Sequence, residues 1–71
     1  MLSKQITNLR KKQGMSQSQM AKELNVSPST IGMYEQGRRV PDLETLLAMA
    51  HLFNVSLDYL VTGTEFVRWT D

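Results

Sequence analysis

The chain has 71 residues, eight basic against seven acidic side chains, a net charge of +1 and no cysteine. This length fits a single domain, and the lack of cysteine excludes disulfides, thiolate catalysis and cysteine-based metal sites. No apolar run approaches the roughly 18 residues of a membrane-spanning helix, and the N-terminus lacks the apolar core of a signal peptide, so we expect a cytoplasmic protein that needs no membrane.

The first predicted helix covers residues 3–13. Ser3 is a suitable cap, and Gly14 is a typical terminating residue. We expect Ile6 and Leu9 to face the core at helical spacing.

The most informative stretch is 17–36, which is predicted to form two short helices joined by a tight turn. Ser16 and Gln19 have the spacing of a capping box at the start of the first helix. Asn25 tolerates a left-handed backbone and marks the turn.

The second helix of this pair begins with strong local signals. Ser27 is placed to cap it, and Pro28 falls in the first turn, where a missing N–H costs nothing. The apolar residues predicted to join the two helices are Met20, Ala21, Leu24, Val26, Ile31 and Tyr34. The residues left exposed near the start of the second helix are Pro28, Ser29, Thr30 and Met33. A helix presented in this way suits the major groove of DNA.

Two further helices complete the predicted body. The fourth starts at Pro41 and Asp42 and stops at Asn54, and the fifth runs from a Ser56 cap to Gly63. The expected inward residues are Leu43, Leu46, Leu47 and Ala50 on the fourth helix and Leu57 and Leu60 on the fifth. Five helices without a strand predict an all-α fold, with one domain over 1–63 and a tail over 64–71.

The tail carries Phe66, Val67 and Trp69, which are large apolar residues beyond the expected core. They are candidates for a dimer interface. Folding back onto their own domain and disorder are the alternatives, and the aromatic content makes disorder the least attractive.

The charges are divided along the chain. Up to Pro41 there are seven basic residues against two acidic ones, and from Asp42 onward one basic residue against five acidic ones. A positive half attracts polyanions, although a small domain can show such a division by chance.

These features resemble the Cro- and repressor-type helix-turn-helix family, also called XRE-type, over about 6–63. The matching residues are Arg10, Gln17, Ala21, Leu24, Val26, Ile31, Tyr34, Glu35, Gly37, Pro41 and the closing run VSLDYLVTG.

The resemblance implies which side chains hold the DNA backbone. Gln17, which starts the first helix of the 17–36 pair, is the expected phosphate contact, because the N-terminus of a helix adds a positive dipole there. Ser27, Gln36, Arg38 and Arg39 are the other expected phosphate contacts, and the two guanidinium groups suit phosphate well. Without the resemblance, each of these would be an ordinary solvated side chain.

Family position assigns base reading to Pro28, Ser29, Thr30 and Met33. They depart from a common repressor pattern, in which long amides at this place bracket adenine. No arginine is available here for guanine, whereas proline, the threonine methyl and methionine suit thymine methyl groups, so we expect half-sites rich in A·T pairs. Gly32 could allow close approach to DNA or could simply be tolerated.

Arg10 and Glu35 would each be surface charges without the resemblance, which instead implies an ion pair that joins the first helix to the end of the recognition helix. Removing one partner of such a pair strands a charge. The expected role is structural.

The leading functional hypothesis is a sequence-specific DNA-binding transcription regulator, a repressor that binds a palindromic operator as a homodimer. A protein-interaction module is the second class, and a protein partner such as a toxin or an antirepressor remains open. An enzyme is the poorest class, because paired carboxylates, a nucleophile with a base and a glycine-rich phosphate loop are all missing. No cofactor or metal is expected, since His51 is the single histidine. The sequence leaves open the operator, the choice between repression and activation, and a phage, plasmid, toxin–antitoxin or chromosomal setting.

Overall fold

The computed structural model describes residues 1–64. Within them the chain forms five helices and no strand, so the prediction of an all-α fold is confirmed. The helices are α1 (Leu2–Lys12), α2 (Gln17–Leu24), α3 (Pro28–Glu35), α4 (Leu43–Phe53) and α5 (Leu57–Thr62). The dimer-interface candidates Phe66, Val67 and Trp69 lie outside the described residues.

Serine and aspartate side chains fix the starts of the later helices. Ser16 and Gln19 form the predicted capping box of α2, with both reciprocal hydrogen bonds present. Ser27, Asp42 and Ser56 accept the backbone N–H groups of Thr30, Thr45 and Tyr59 at the starts of α3, α4 and α5. Each bond satisfies a backbone donor that would otherwise lack a partner.

The predicted cap of α1 was wrong. The helix begins at Leu2, and Met1 occupies the cap position without a side-chain bond. Ser3 lies inside the first turn, where its hydroxyl faces Gly37 at the end of α3. The half-buried Leu2 packs against the core, and this contact extends the helix past the polar residue that the local sequence favoured as its start.

One core lies between the five helices. α2 and α3 pack against each other, α1 packs against α3 and α5, and α4 packs against α2 and α5. The side chains buried most completely are Ile6, Met20, Ile31, Met49 and Leu60, so every helix contributes one. This packing holds α2 and α3 in a fixed mutual orientation.

The inward face predicted for α4 was partly wrong. Leu43 and Leu47 are 63% and 51% exposed, whereas Met49, Ala50 and Phe53 form the buried face. Two sets of apolar residues in this segment both satisfy the i, i+3, i+4, i+7 rule. They are Leu43, Leu46, Leu47 and Ala50, and Leu46, Met49, Ala50 and Phe53. The structure buries the set that carries the large Met49 and Phe53 side chains.

Candidate nucleic-acid interface

A cluster of three hydroxyls forms the start of α3. The Ser27 Oγ accepts the Thr30 N–H at 3.2 Å and lies 3.1 Å from the Ser29 Oγ and 2.9 Å from the Thr30 Oγ1. Pro28 follows Ser27 at the first helical position. The hydroxyls of Ser29 and Thr30 are therefore bonded to the cap, which fixes their side-chain directions before any ligand arrives.

The outward face of α3 is narrower than expected. Pro28 and Ser29 are exposed, whereas Thr30 and Met33 are half-buried. Ile31 and Tyr34 occupy the opposite side of the helix and belong to the core. The four predicted base-reading residues thus lie outside the buried pair Ile31 and Tyr34, with Pro28 and Ser29 the more exposed of them.

A Schellman motif ends α3 and leads into a basic loop. Gly37 has a φ of +74°, its N–H donates to the Tyr34 carbonyl, and the Arg38 N–H donates to the Met33 carbonyl at 2.9 Å. Glycine suits this left-handed position. Arg38 and Arg39 are exposed together with Gln36, so the three predicted phosphate contacts of this loop are accessible beside the backbone that this motif holds.

Arg10 and Glu35 form an ion pair between α1 and the end of α3. The Arg10 Nε donates to the Glu35 Oε2 at 2.6 Å, and the second guanidinium nitrogen donates to Oε1 at 3.2 Å. The two side chains are 12% and 8% exposed. The remaining Arg10 nitrogen donates to the Met15 carbonyl at 2.8 Å, immediately before the α2 cap. One guanidinium thus connects α1 with the end of α3 and with the segment that leads into α2.

Gln17 also reaches Glu35, which sequence reasoning missed. Its amide Nε2 donates to the Glu35 Oε1 at 3.0 Å. On the way the amide passes Gly32, where an added Cβ would lie 4.0 Å from both the Nε2 and the Oε1 of Gln17. The only sequence signal for this contact is that Gln17 is the first residue of α2 and Glu35 is the last residue of α3, in two helices that pack together.

Glu35 stays ionised because of these partners. Burial raises the pKa of its carboxyl, but hydrogen bonds from Arg10 and Gln17 and the positive charge of Arg10 lower it by more. The resulting pKa lies below the ordinary value, so the carboxylate is charged at neutral pH.

The helix N-termini differ in charge across the molecule. The first turns of α2 and α3 hold no acidic residue, whereas those of α4 and α5 carry Glu44 and Asp58. The positive dipole ends of α2 and α3 therefore remain available to an anion. In the described range 1–64, no group of three histidine or carboxylate side chains could hold a metal ion, and no helix is long and apolar enough to cross a membrane.

The chain matches a known protein family and several curated transcriptional regulators. A helix-turn-helix family model matches residues 6–60. The HTH-type transcriptional regulator ImmR of Bacillus subtilis is 40% identical over 64 residues, which are 90% of this chain and 50% of ImmR. The cryptic phage CTXphi transcriptional repressor RstR of Vibrio cholerae is 32% identical over 92% of this chain and 59% of its own length. The chain thus spans about half the length of these curated relatives.

Solved structures share the architecture. The P22 c2 repressor, solved in complex with a synthetic operator, superposes with a TM-score of 0.85 at 31% identity, over 90% of this chain and 97% of that one. A transcriptional regulator from Listeria innocua superposes with a TM-score of 0.84 at 34% identity, over 100% of this chain and 65% of the other. These relatives and neighbours are transcriptional regulators rather than enzymes.

Proposed function

Because the chain belongs to the helix-turn-helix family, we propose that it is a sequence-specific transcriptional repressor that inserts α3 into the DNA major groove. We further propose that it binds a palindromic operator as a homodimer. Residues 1–63 form the DNA-binding domain, and 64–71 form a tail that takes part in dimerisation. The P22 c2 repressor, a structural neighbour, was solved on an operator, which supports this role.

One observation carries the proposal. The outward side of α3 lies between two surfaces that suit phosphate, namely the acid-free N-termini of α2 and α3 and the exposed loop of Arg38 and Arg39. A recognition helix needs backbone anchors on its flanks, because phosphate contacts fix the register from which bases are read.

The phosphate contacts proposed here are Gln17, Ser27, Gln36, Arg38 and Arg39, and the base contacts are Pro28, Ser29, Thr30 and Met33. The Thr30 hydroxyl is bonded to Ser27, which leaves the threonine methyl as its free branch. A methyl group, a proline ring and a thioether suit thymine methyl groups. This composition supports half-sites rich in A·T pairs.

A single module of this size makes few contacts, so a symmetric pair of recognition helices about 34 Å apart is proposed to supply the affinity. The palindrome then reflects the two-fold axis of the dimer. Sedimentation of the protein alone and with duplex tests this part: a duplex bound by one copy would contradict it.

Selection of bound duplexes from a random pool tests the DNA assignment, since half-site sequence, spacing and symmetry are obtained together. The affinity for random duplex is then titrated with salt. A DNA binder loses affinity steeply, with a slope of about 0.9 per neutralised phosphate. A salt-independent affinity would contradict the proposal.

Matched charge removals sharpen the salt titration. Arg38→Gln or Arg39→Gln is expected to reduce the slope by about 1 for each protomer bound, and so by about 2 for a dimer. Lys12→Gln removes the same charge from the groove beside Phe53 and Tyr59, away from α3, and should leave the slope unchanged. Equal effects of all three variants would show that only the overall charge matters.

A protein-interaction module is the second candidate, because Val40, Leu43 and Leu47 are large apolar residues that are more than half exposed. An exposed apolar surface of this kind suits a protein partner. It is the favoured function only if the duplex selection yields no enriched sequence.

A further inference from the structure

The Gln17 amide of α2 is bonded to Glu35 of α3 through one of its two N–H groups. Its Nε2 carries two hydrogens, and one of them is donated to the Glu35 Oε1 at 3.0 Å. Gln17 itself is exposed at the first position of α2, whereas the Glu35 side chain is 8% exposed. The half-buried Glu35 therefore holds one N–H of an amide that lies at the surface.

We infer that Glu35 is a positioning residue for DNA binding, which orients the Gln17 amide so that its second N–H donates to a phosphate oxygen. This inference rests on the proposed function, because it supplies the geometry of one of the proposed phosphate contacts. The two hydrogens of a primary amide lie in one plane and point in directions about 120° apart. Fixing the first on Glu35 therefore fixes the direction of the second.

The charge balance allows a carboxylate at this place. A bare carboxylate close to DNA would repel phosphate, but both oxygens of Glu35 also accept hydrogen bonds from Arg10, at 2.6 and 3.2 Å. The negative charge is thereby paired, while Oε1 remains a strong acceptor for the amide. A charged acceptor holds a surface glutamine more firmly than a neutral one, and less side-chain entropy is then lost when phosphate binds.

Gly32 supplies the space for this arrangement. The amide lies beside α3 at the position where a side chain of residue 32 would begin, with 4.0 Å between the ideal Cβ and either amide atom. A methyl group would be in ordinary contact, whereas a longer side chain would compete for the place of the amide. Gly32→Ala should therefore leave the affinity for DNA nearly unchanged. Gly32→Leu should weaken it to the same extent as removal of the Gln17 amide.

A double-mutant cycle separates positioning from bracing. Gln17→Met preserves the length of an exposed side chain and removes the donor, and we expect roughly tenfold weaker binding per half-site, the scale of one hydrogen bond to a charged group. The salt slope should stay unchanged, since a neutral donor displaces no counterion. Glu35→Gln should weaken binding about threefold in the wild-type background and not at all in the Gln17→Met background.

The outcomes of this cycle are distinct. If Glu35→Gln weakens binding by the same factor in both backgrounds, Glu35 acts only as a structural brace and the inference is overturned. If the wild-type protein binds no duplex at all, the proposed function and the inference fall together. Unfolding curves of all four proteins identify any loss that comes from unfolded chain.

Nuclear magnetic resonance of the wild-type protein gives an independent readout that needs no variant. The two protons of every glutamine amide differ in chemical shift, but in Gln17 the proton bonded to Glu35 should also exchange with solvent more slowly than its neighbour and lie further downfield than in solvated glutamines. Adding the selected duplex should move the other proton most. A Gln17 amide with the shifts and exchange rates of the exposed Gln36 amide would contradict the inference.

Discussion

Replacing Arg10 by methionine should be among the most damaging single changes outside the apolar core. The substitution keeps most of the apolar stem and removes three hydrogen bonds, two to Glu35 and one to the Met15 carbonyl. Glu35, whose side chain is only 8% exposed in the intact protein, then loses both bonds from Arg10 and keeps the hydrogen bonds from the Gln17 amide, at 3.0 Å, and from Thr7.

The expected cost follows from this burial. Stranding one partner of a buried ion pair costs about 3–5 kcal/mol. Part of this cost is avoided because Glu35 lies at the rim of the domain, where water enters once the arginine is gone, so we expect about 3 kcal/mol. The whole domain should have roughly 3–10 kcal/mol of stability at about 0.05–0.15 kcal/mol per residue. At the lower end of this range, Arg10→Met would leave about half of the protein unfolded.

Urea unfolding followed by far-UV circular dichroism at pH 7 measures these free energies. Glu35→Gln is the matched control, because it keeps an acceptor of the same shape and leaves no unpaired anion, and it should cost about 1–2 kcal/mol. Glu35→Leu leaves the Arg10 charge without its partner and should cost clearly more than Glu35→Gln.

The double variant Arg10→Met with Glu35→Leu gives the decisive comparison. An apolar pair of similar volume should be more stable than either single variant with an unpaired charge. Equal and small losses for Arg10→Met, Glu35→Gln and Glu35→Leu would refute the reasoning, because a pair whose members are individually dispensable does not hold the helices together.

The remaining predictions concern pH, helix ends and packing. The pKa of Glu35 is lowered in the folded protein. The stability that ionised Glu35 contributes is therefore complete above the unfolded pKa of about 4.3 and is lost as the pH falls through the folded pKa. In urea titrations below pH 4, the free energy of unfolding should fall less steeply for Glu35→Gln than for the wild-type protein. Ser16→Ala removes the capping box of α2 and should cost about 1 kcal/mol in the same assay. Gly14 has a φ of +72° with nothing within 4 Å of an added Cβ, so Gly14→Ala should cost about 1 kcal/mol through backbone strain alone. Met49→Ala should cost about 2–5 kcal/mol, and Leu47→Ala less than about 0.5 kcal/mol, because only Met49 is buried; equal losses in thermal melts would contradict the observed face of α4.

Local chemistry made much of the fold predictable from the sequence. The capping box at Ser16, the left-handed turn at Asn25 and the glycine end of α3 at Gly37 depend on residues within a few positions of each other, and all three are present. The face of α4 depends instead on which of two sets of apolar residues meets α2 and α5. That choice is made by packing, so periodicity alone favoured Leu43 and Leu47, which are exposed.

The side-chain network of the candidate site was less accessible to sequence reasoning. The Arg10–Glu35 pair spans 25 residues and Gln17–Glu35 spans 18. Charge sign alone cannot select such partners among many exposed side chains. The first pair was expected only through a family resemblance. Nothing in the sequence predicted the Gln17–Glu35 pair, because a glutamine at the first position of a helix is common and points to no partner.

These two contacts share one carboxylate, and this has a consequence for how stability and DNA binding are linked. Glu35 receives Arg10 from α1 and Gln17 from α2 while it belongs to α3. A shift of α3 relative to the other two helices would therefore break ionic hydrogen bonds as well as apolar contacts. The proposed recognition helix is thus held in one orientation before it meets DNA, which reduces the ordering cost of binding. By the same reasoning, substitutions at Glu35 should change stability and affinity together, whereas Gln17→Met should change mainly affinity, since it removes one hydrogen bond from Glu35 and leaves the ion pair with Arg10 in place.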